Sequence, residues 1–296
     1  MFGYSDIYCV ICGRLLTNYQ EHMQYTINVR GRLLDLSKPM VMGILNATPD
    51  SFYSGSRKQT EAEIADRANQ IIAEGGRIID VGAFSTRPGG ADEVSLEEET
   101  ERLKRALEIV RREQPDAVVS VDTYRPLVAR RCVEEFGADI INDVSEGGIT
   151  GIVGKEIHEE GDMFETVAQL GVPYILMSVQ PTLVKMMQNF AAEVQRLRDL
   201  GAKDIILDPG YGFGKTLEQN YEIMNEAERL LALELPVLVG VSRKSMIYRL
   251  VGGDPTTALN GTTVLHTVSL QKGASILRVH DVKEAFEAIR IVQQLG

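Results

Sequence analysis

One segment of the sequence, Asp80-Val-Gly-Ala-Phe-Ser-Thr-Arg-Pro88, places polar and cationic side chains directly after an apolar run. Residues 77–82 are rich in β-branched residues and end in glycine, which predicts a parallel strand buried on both faces. Ser85, Thr86 and Arg87 then supply two hydroxyls and a planar cation that could bind an anionic group of oxygens. Taken alone, this loop fits a solvated turn better than a binding site. Its interest comes from similar segments elsewhere in the chain.

The same order, a predicted strand followed by a polar residue, recurs along the whole chain. The residues in question are Asn46, Arg87, Asp122, Asn142, Ser178, Asp208, Lys244, Arg278 and His280. Each one also has a structural interpretation, such as a helix cap at Asp122 or a turn at Asp208. Because the carboxyl ends of barrel strands meet at one mouth, however, we expect these side chains to converge there.

These residues fall into two chemical groups. The first offers hydrogen-bond donors and acceptors in a fixed array, as a flat heterocycle with amide and amino edges requires; it comprises Asp122, Asn142, Asp208 and Lys244. The second offers donors and positive charge, as a diphosphate requires; it comprises Asn46, Arg87, Arg278 and His280.

The elements that must position these groups form a regular alternation. Strands are predicted at 41–46, 77–82, 117–122, 139–143, 173–177, 204–207, 236–241 and 275–279, with helices near 60–74, 95–114, 125–136, 162–170, 185–200, 217–233, 243–272 and 281–294. Eight such units predict an α/β fold, a (β/α)8 TIM barrel, with an open doubly wound sheet as the alternative.

Residues 24–38 predict an N-terminal β-hairpin that covers the base of the barrel. Residues 144–161 predict a surface loop, in which we interpret Lys155 and His158 as solvated.

Composition restricts the class of protein. The chain has 296 residues and a formal net charge of −11, which argues against nucleic acid or an anionic membrane as a partner. No apolar run reaches membrane-spanning length, and no signal-peptide pattern is visible. Three cysteines do not make a disulfide framework, so we expect a cytoplasmic protein.

We interpret residues 1–23 as an extension with little regular structure and residues 24–296 as a single barrel domain. The Cys9-Val-Ile-Cys12 pair has too few neighbouring ligands for zinc.

The motifs together resemble those of dihydropteroate synthase, a family of pterin-binding TIM barrels. The matching segments are Met42-Gly-Ile-Leu-Asn-Ala-Thr-Pro-Asp-Ser-Phe52, Ser85-Thr-Arg-Pro88, Ser120-Val-Asp-Thr123, Ile141-Asn-Asp143, Leu207-Asp-Pro-Gly210, Gly212-Phe-Gly-Lys215, Ser242-Arg-Lys-Ser245 and Arg278-Val-His-Asp281. They occur in the family's order and cover residues 40–294. The resemblance implies a transferase that condenses 6-hydroxymethyl-7,8-dihydropterin diphosphate with 4-aminobenzoate, giving 7,8-dihydropteroate and diphosphate by an SN1-like route.

The resemblance also implies a role for each matched residue. The pterin ring would contact Asp122, Asn142, Val144, Met177, Asp208, Phe213, Gly240 and Lys244, and the diphosphate would contact Asn46, Arg87, Arg278 and His280. The implied catalytic set is Asn46, Arg87, Lys244, Arg278 and His280, with Asn46 also a ligand of a Mg²⁺ cofactor. Loops 47–57 and 83–91 would close over the site, and the 4-aminobenzoate pocket would include Phe52, Thr86, Pro88 and Ser245. Competition by sulfonamides and a homodimer formed through the last helices are further implications.

The sequence departs from the family pattern at two places. Ser54 stands where many members carry aspartate, and Ser178 stands where members often carry histidine, before a segment that looks short. Two other functions therefore stay open. One is a non-catalytic or altered-specificity pterin-binding relative, and the other is the pterin-binding domain of a methyltransferase. Arg87, Arg278 and His280 argue against the methyltransferase, because a methyl carrier has no diphosphate to bind.

Overall fold

The computed structural model describes residues 25–47, 54–83, 94–147 and 161–295 of the chain. It begins with a β-hairpin of two antiparallel strands, β1 (Thr26–Val29) and β2 (Arg32–Asp35). Arg30 and Gly31 form the turn with φ angles of 51° and 78°. Two consecutive left-handed residues match the right-handed twist of the flanking strands, which is why short hairpin turns adopt this conformation. The predicted hairpin is therefore present, whereas the predicted extension at residues 1–23 lies outside the described residues.

Eight parallel strands follow the hairpin. They are β3 (Met40–Asn46), β4 (Ile78–Gly82), β5 (Val118–Asp122), β6 (Ile140–Asp143), β7 (Tyr174–Met177), β8 (Ile205–Asp208), β9 (Leu238–Val239) and β10 (Ile276–Val279). The hydrogen-bonded order is β8-β7-β6-β5-β4-β3-β10-β9. A parallel bridge between Leu207 and Val237, with Leu207 N donating to Pro236 O at 2.9 Å, joins β8 to the segment that enters β9. This bridge closes the ring, so the predicted (β/α)8 barrel is confirmed and the open-sheet alternative is wrong.

Nine α-helices and one 3-10 helix lie in the described ranges. They are α1 (Ser54–Ala73), α2 (Leu96–Glu113), α3 (Pro126–Glu134), α4 (Met163–Leu170), α5 (Leu183–Asp199), α6 (Leu217–Asn225), the 3-10 helix Ala227–Leu233, α7 (Ser245–Val251), α8 (Leu259–Gln271) and α9 (Val282–Val292). The prediction of one helix over 243–272 is wrong. Gly252 and Gly253 adopt φ angles of 84° and 102° between α7 and α8, a conformation that ends a helix. In the described part of the chain, no helix is both long and apolar enough to cross a bilayer.

The barrel interior is closed at its amino-terminal end. Ile27, Val29 and Leu36 of the hairpin segment pack into one apolar cluster with residues from most of the barrel strands. These strand residues are Met42, Ile78, Ile140, Ile175, Ile206, Leu238 and Ile276. The hairpin therefore covers the base of the barrel, and the carboxyl ends of the strands remain as the face on which a site can form.

The predicted surface loop at 144–161 is only partly described, and its first residues are not on the surface. Val144, Ser145 and Glu146 are buried, while residues 148–160, including Lys155 and His158, lie outside the described residues. The Asp143 carboxylate accepts hydrogen bonds from Ser145 N at 2.7 Å and Gly147 N at 2.9 Å. These bonds fold the chain back onto the barrel, which explains why a polar segment is buried here.

Gly43 allows the close approach of two helices to β3. A Cβ atom on this residue would lie 2.6 Å from Ile71 Cγ2 in α1 and 3.0 Å from Val282 Cγ2 in α9. We expect Gly43→Ala to lower the free energy of unfolding by about 1–3 kcal/mol, the usual cost of overpacking a dense core. Urea unfolding would measure this change.

Gly82→Ala in β4 is the matched control for that variant. A Cβ there meets Asp122 Cβ at 3.6 Å, which is an ordinary contact distance. Equal destabilisation by the two substitutions would contradict the packing account of Gly43.

Candidate active site

The strand register brings the predicted site residues to one level of the barrel. Asn46 pairs with Gly82, Gly82 with Asp122, and Asp122 with Asn142. Further round the sheet, Met177 pairs with Asp208. All of these residues end or nearly end their strands, so the convergence predicted for the carboxyl-terminal mouth is observed for the described residues.

Arg278 in β10 lies at the centre of this mouth. Its Nε donates to Asp80 Oδ2 at 2.6 Å and its Nη2 donates to Asp122 Oδ2 at 2.6 Å. Asn142 Nδ2 also donates to Asp80 Oδ2, at 3.2 Å. Asn142 belongs to the predicted ring-binding set, and Arg278 belongs to the predicted diphosphate-binding set. Both contact Asp80, so the two sets lie side by side and not in separate regions.

Asp80 has no role in the sequence-based prediction, although it is fully buried in β4. A signal was present, because a charged residue inside the apolar run Ile78–Gly82 needs a partner to be stable. What the sequence could not give is the identity of that partner, which lies 198 residues away.

Burial and neighbouring charges change the ionisation of this group. Burial raises the pKa of Asp122 to about 7, with Arg278 opposing the rise and Asp80 adding to it. Burial by itself would lower the pKa of Arg278, but the carboxylates of Asp80 and Asp122 outweigh it and raise that pKa. The guanidinium consequently stays charged, and Asp122 is the member of the group that can take up a proton near neutral pH.

A second cation, Lys244, follows β9. Its Nζ donates to Tyr211 O at 2.5 Å and lies 4.5 Å from the centroid of the Phe213 ring, a cation–π distance. Burial lowers the pKa of Lys244 to about 8, although Asp208 raises it. A Cβ on Gly240 would be 3.9 Å from both Lys244 Nζ and Arg278 Cβ, so this glycine leaves space between the two cations.

Two acceptors and two apolar residues complete this part of the mouth. Asp208 Oδ1 accepts from Gly210 N at 2.8 Å, and burial raises the pKa of this carboxyl against the opposing charge of Lys244. Asn142 Oδ1 is buried and lacks a hydrogen-bond partner within the described ranges. Met177, which pairs with Asp208 in the sheet, and Val144, which closely follows Asn142 in the chain, are buried and supply apolar surface. The mouth thus presents unused polar atoms next to apolar walls, as a heterocycle site requires.

Comparison with known proteins gives a consistent result. The family described as "Pterin binding enzyme" matches residues 42–280. The dihydropteroate synthase of Escherichia coli is 39% identical over 279 residues, which span 89% of this chain and 94% of that protein. This chain belongs to the dihydropteroate synthase family of pterin-binding enzymes. The family and the transferase function expected from the sequence are confirmed.

Solved structures of the family agree with this assignment. A Xanthomonas albilineans dihydropteroate synthase with 4-aminobenzoic acid has a TM-score of 0.80 and 32% identity, covering 92% of this chain and 98% of that one. A Yersinia pestis dihydropteroate synthase with a pterine-sulfa conjugate has a TM-score of 0.76 and 33% identity, again covering 92% of this chain and 98% of that one. The barrel is therefore shared with enzymes whose structures contain such ligands.

The family motifs at the rim are held by arginines outside the mouth. Arg67 of α1 donates from Nη2 to His280 O at 2.6 Å and from Nε to Ile44 O at 3.1 Å. Arg243, with φ of 55°, forms a bidentate ion pair with Asp281 at 2.8 Å on both arms. These contacts hold the backbone carbonyl of His280 and the side chain of the next residue, Asp281. Arg243 therefore supports the motif and does not point a free charge at the mouth.

Several predicted residues cannot be located. Phe52, Thr86, Arg87 and Pro88 lie outside the described residues, as does the side chain of Ser54. Ser245 begins α7 and is half-buried, and Asn46 ends β3 with an exposed side chain. The roles predicted for all of these residues stay predictions.

Ser178, the second place where the sequence departs from the family pattern, makes a contact that the sequence did not reveal. Ser178 is buried, and its Oγ donates to Glu146 Oε1 at 3.1 Å. Glu146 is itself buried, with φ of 55° and a pKa that burial raises above its usual value. A carboxylate from the loop after β6 thus contacts the position where family members often carry histidine.

The dependence of Arg278 on Asp80 can be tested by Asp80→Asn. This change keeps the shape but removes the charge of a fully buried carboxylate, one of two that balance the guanidinium of Arg278. We expect the free energy of unfolding to fall by about 3 kcal/mol, the lower end of the cost of breaking a buried pair. Urea unfolding measures it, with the exposed Asp116→Asn ahead of β5 as control. If both variants unfolded at the wild-type midpoint, Asp80 would have no such role.

Proposed function

We propose that this chain joins the pterin and 4-aminobenzoate through the residues gathered at the barrel mouth. The reaction forms a bond between the exocyclic carbon of 6-hydroxymethyl-7,8-dihydropterin diphosphate and the amine of 4-aminobenzoate, and it breaks the bond from that carbon to the diphosphate oxygen. The products are 7,8-dihydropteroate and diphosphate, an intermediate and a by-product of folate biosynthesis. The observation that carries this proposal is the meeting of Asp122, Asn142, Asp208, Lys244 and Arg278 at one mouth.

The pterin ring would occupy the space bordered by Asp208, Asn142 and Lys244. An ionised carboxylate accepts two parallel N–H bonds from an amino-pyrimidine edge more strongly than a neutral acceptor does. Asn142 Oδ1, which has no partner in the described part of the chain, is an available acceptor for the same edge. Lys244 would donate to ring oxygen or nitrogen in place of Tyr211 O. Val144, Met177, Phe213 and Gly240 would supply the apolar contact and the close backbone approach.

The diphosphate would lie toward Arg278, His280 and Asn46. Asp80, Asp122 and Arg278 carry a net negative charge when both carboxyls are ionised, so this group alone does not attract a diphosphate. Further positive charge is needed as the leaving group departs. We assign it to Arg87, to His280 and to a bound Mg²⁺.

The described residues fit a Mg²⁺ that is held mainly by substrate. Asn46 offers an exposed amide oxygen at the end of β3, next to β10. Within the described ranges, no group of three or more His, Cys, Asp or Glu side chains could hold a metal. A single protein ligand together with phosphate oxygens and water is typical of Mg²⁺ in phosphate chemistry. Bound there, the ion would neutralise charge on the departing diphosphate.

The order of bond changes is the one that the family resemblance implies, and the electronic demands on the site agree with it. With the ring held by Asp208 and Lys244, departure of diphosphate leaves a cation that the pterin stabilises, and the aromatic amine then attacks it and loses a proton. The arylamine is already nucleophilic, so no strongly shifted general base is needed. Water would capture the cation, so the predicted loops 47–57 and 83–91 would exclude it; most of their residues lie outside the described residues.

Three further properties concern sulfonamide inhibition, oligomeric state and cellular compartment. Sulfonamides would compete for the 4-aminobenzoate pocket near Ser245, as a Yersinia pestis relative has been solved with a sulfonamide drug. Val264 of α8 and Ile291 of α9 are 55% and 63% exposed, which supports a homodimer through the last helices. The buried, unpaired thiol of Cys132 supports a reducing compartment such as the cytoplasm.

The direct test is turnover. The protein would be incubated with Mg²⁺, the pterin diphosphate and isotopically labelled 4-aminobenzoate, and labelled dihydropteroate would be sought by chromatography. We expect product from the wild type and a large loss with Arg278→Ala, while urea unfolding checks that each protein is folded. Pterin binding without product would favour the non-catalytic alternative. Binding of methyltetrahydrofolate instead would favour the methyltransferase domain.

The role of Lys244 predicts a pH dependence of pterin binding. Burial lowers the pKa of Lys244 to about 8, so its positive charge is lost as the pH rises through that value. We expect the affinity for the pterin to fall by at most about tenfold, or about 1.4 kcal/mol, between pH 7 and about pH 9, because one titrating group changes a binding constant by no more than tenfold per pH unit above its pKa. Calorimetry from pH 7 to about pH 9 measures it. In Lys244→Met, binding should be weak at every pH; a full pH-dependent fall in this variant would exclude Lys244 as the titrating group.

A further inference from the structure

Three backbone carbonyl oxygens converge on the ammonium group of Lys215. The Nζ atom donates to Ser178 O at 2.9 Å, Gly210 O at 2.9 Å and Phe213 O at 3.2 Å. We call these three oxygens the carbonyl cage. An ammonium has three N–H donors and no acceptor, so it satisfies all three oxygens, which would otherwise repel one another. Lys215 thus acts as a tethered cation and not as a free surface charge.

The cage joins two different strand ends. Ser178 follows β7, whereas Gly210 and Phe213 lie in the loop after β8. Their approach requires glycine at position 210, because a Cβ there would lie 2.1 Å from Ser178 O. Gly210 also has φ of 63°, which most other residues avoid. The close contact between the loops is therefore built into the sequence, and Lys215 supplies the charge that stabilises it.

Ser178 is held from a second side by Glu146. Ser178 Oγ donates to Glu146 Oε1 at 3.1 Å, and Gln180 N donates to Ser178 Oγ at 3.2 Å. The negative charge of Glu146 also favours the charged form of Lys215, although burial lowers the pKa of Lys215 to about 8. The loops after β6, β7 and β8 consequently meet at one residue, with an anion on one side and a cation on the other.

The cage residues lie beside the groups to which we assign pterin binding. Gly210 N donates to Asp208 Oδ1 at 2.8 Å, and the Phe213 ring is 4.5 Å from Lys244 Nζ. Met177 immediately precedes Ser178. A shift of the cage would therefore move Asp208, Phe213 and Met177 together.

We infer that Lys215 is a positioning residue, whose ammonium fixes the loops after β7 and β8 in the arrangement that receives the pterin. This inference rests on the proposed function, since it names what holds the pterin site in shape. Lys215 would not contact the substrate, because its three donors already bind backbone oxygens. Its loss should therefore affect binding of the pterin far more than binding of 4-aminobenzoate.

The first test is Lys215→Met, which removes the charge and keeps the length of the side chain. We expect the Kd for the pterin diphosphate, measured by calorimetry, to rise roughly tenfold or more, as loss of a charged hydrogen-bonded group implies. The KM for 4-aminobenzoate should stay near the wild-type value. Lys272→Met is the matched control, because Lys272 also donates to a backbone oxygen, Asn225 O at 2.6 Å, but on the outer helices. It should leave both constants unchanged.

The second test is chemical rescue. Lys215→Ala should leave a cavity at the cage that ethylammonium can enter, since that ion carries the three donors of the missing group. We expect ethylammonium chloride to restore pterin affinity and the urea midpoint, whereas tetramethylammonium chloride at equal ionic strength, which has no N–H donor, should restore neither. If Lys215→Ala does not fold by itself, we expect an unfolding transition to appear when ethylammonium chloride is added and not when tetramethylammonium chloride is added. That result would support the same role for Lys215.

Two results would overturn the inference. One is a pterin Kd for Lys215→Met within about twofold of wild type, a difference too small for a lost charged contact. The other is equal recovery of Lys215→Ala by the two ammonium salts. These outcomes are separable from failure of the proposed function. If the wild type neither turned over nor bound the pterin, that function would fall, while the ethylammonium-specific recovery of the unfolding midpoint would still report on the cage.

Discussion

The partly buried guanidinium of Arg278, shared between two carboxylates, determines what the mouth of this barrel can do. A single charge in this position would be very unfavourable, and two carboxylates without it would repel each other. Together, Asp80, Arg278 and Asp122 form a group that links β4, β5 and β10 across the mouth. Its net charge is only weakly negative, and protonation of Asp122 can cancel it. The substrate would therefore meet a site whose charge is already arranged before binding, which is the condition for electrostatic preorganisation.

The rest of the structure protects this arrangement from two directions. At the base, Ile27, Val29 and Leu36 of the hairpin segment close the barrel by packing against apolar residues of its strands. At the mouth, two lysines bind backbone oxygens of the same loop after β8. Lys244 donates to Tyr211 O, and Lys215 donates to Gly210 O and Phe213 O. In the proposed function a ligand would replace the single backbone partner of Lys244, whereas Lys215 keeps its three. The loop after β8 is thus held by two cations, Lys215 from its own sequence and Lys244 from the segment after β9.

The positions of strands are predicted best from the sequence, because hydrophobic periodicity and strand-ending residues depend only on near neighbours in the chain. The eight strands were placed within a few residues, because apolar β-branched runs ending in a polar residue have few alternatives. The helix over 243–272 was predicted as continuous even though Gly252, Gly253 and Pro255 signal a break. Residues 144–161 are predicted as a surface loop because of their glycines and charges, yet Val144, Ser145 and Glu146 are buried. Their burial is possible because Asp143 and Ser178 satisfy polar groups of this segment internally, which composition cannot reveal.

The sequence alone determined the alternation of strands and helices, the order of motifs and hence the family and its chemistry. Each of those depends on residues close together in the chain, or on patterns that can be read in series. Tertiary structure alone decided which charges are paired. Arg278 contacts partners 156 and 198 residues away, and Ser178 contacts a glutamate 32 residues away. Such pairs form only when barrel closure brings distant strand ends to one rim, and no local pattern of residue types specifies which acidic side chain a given cation will meet there.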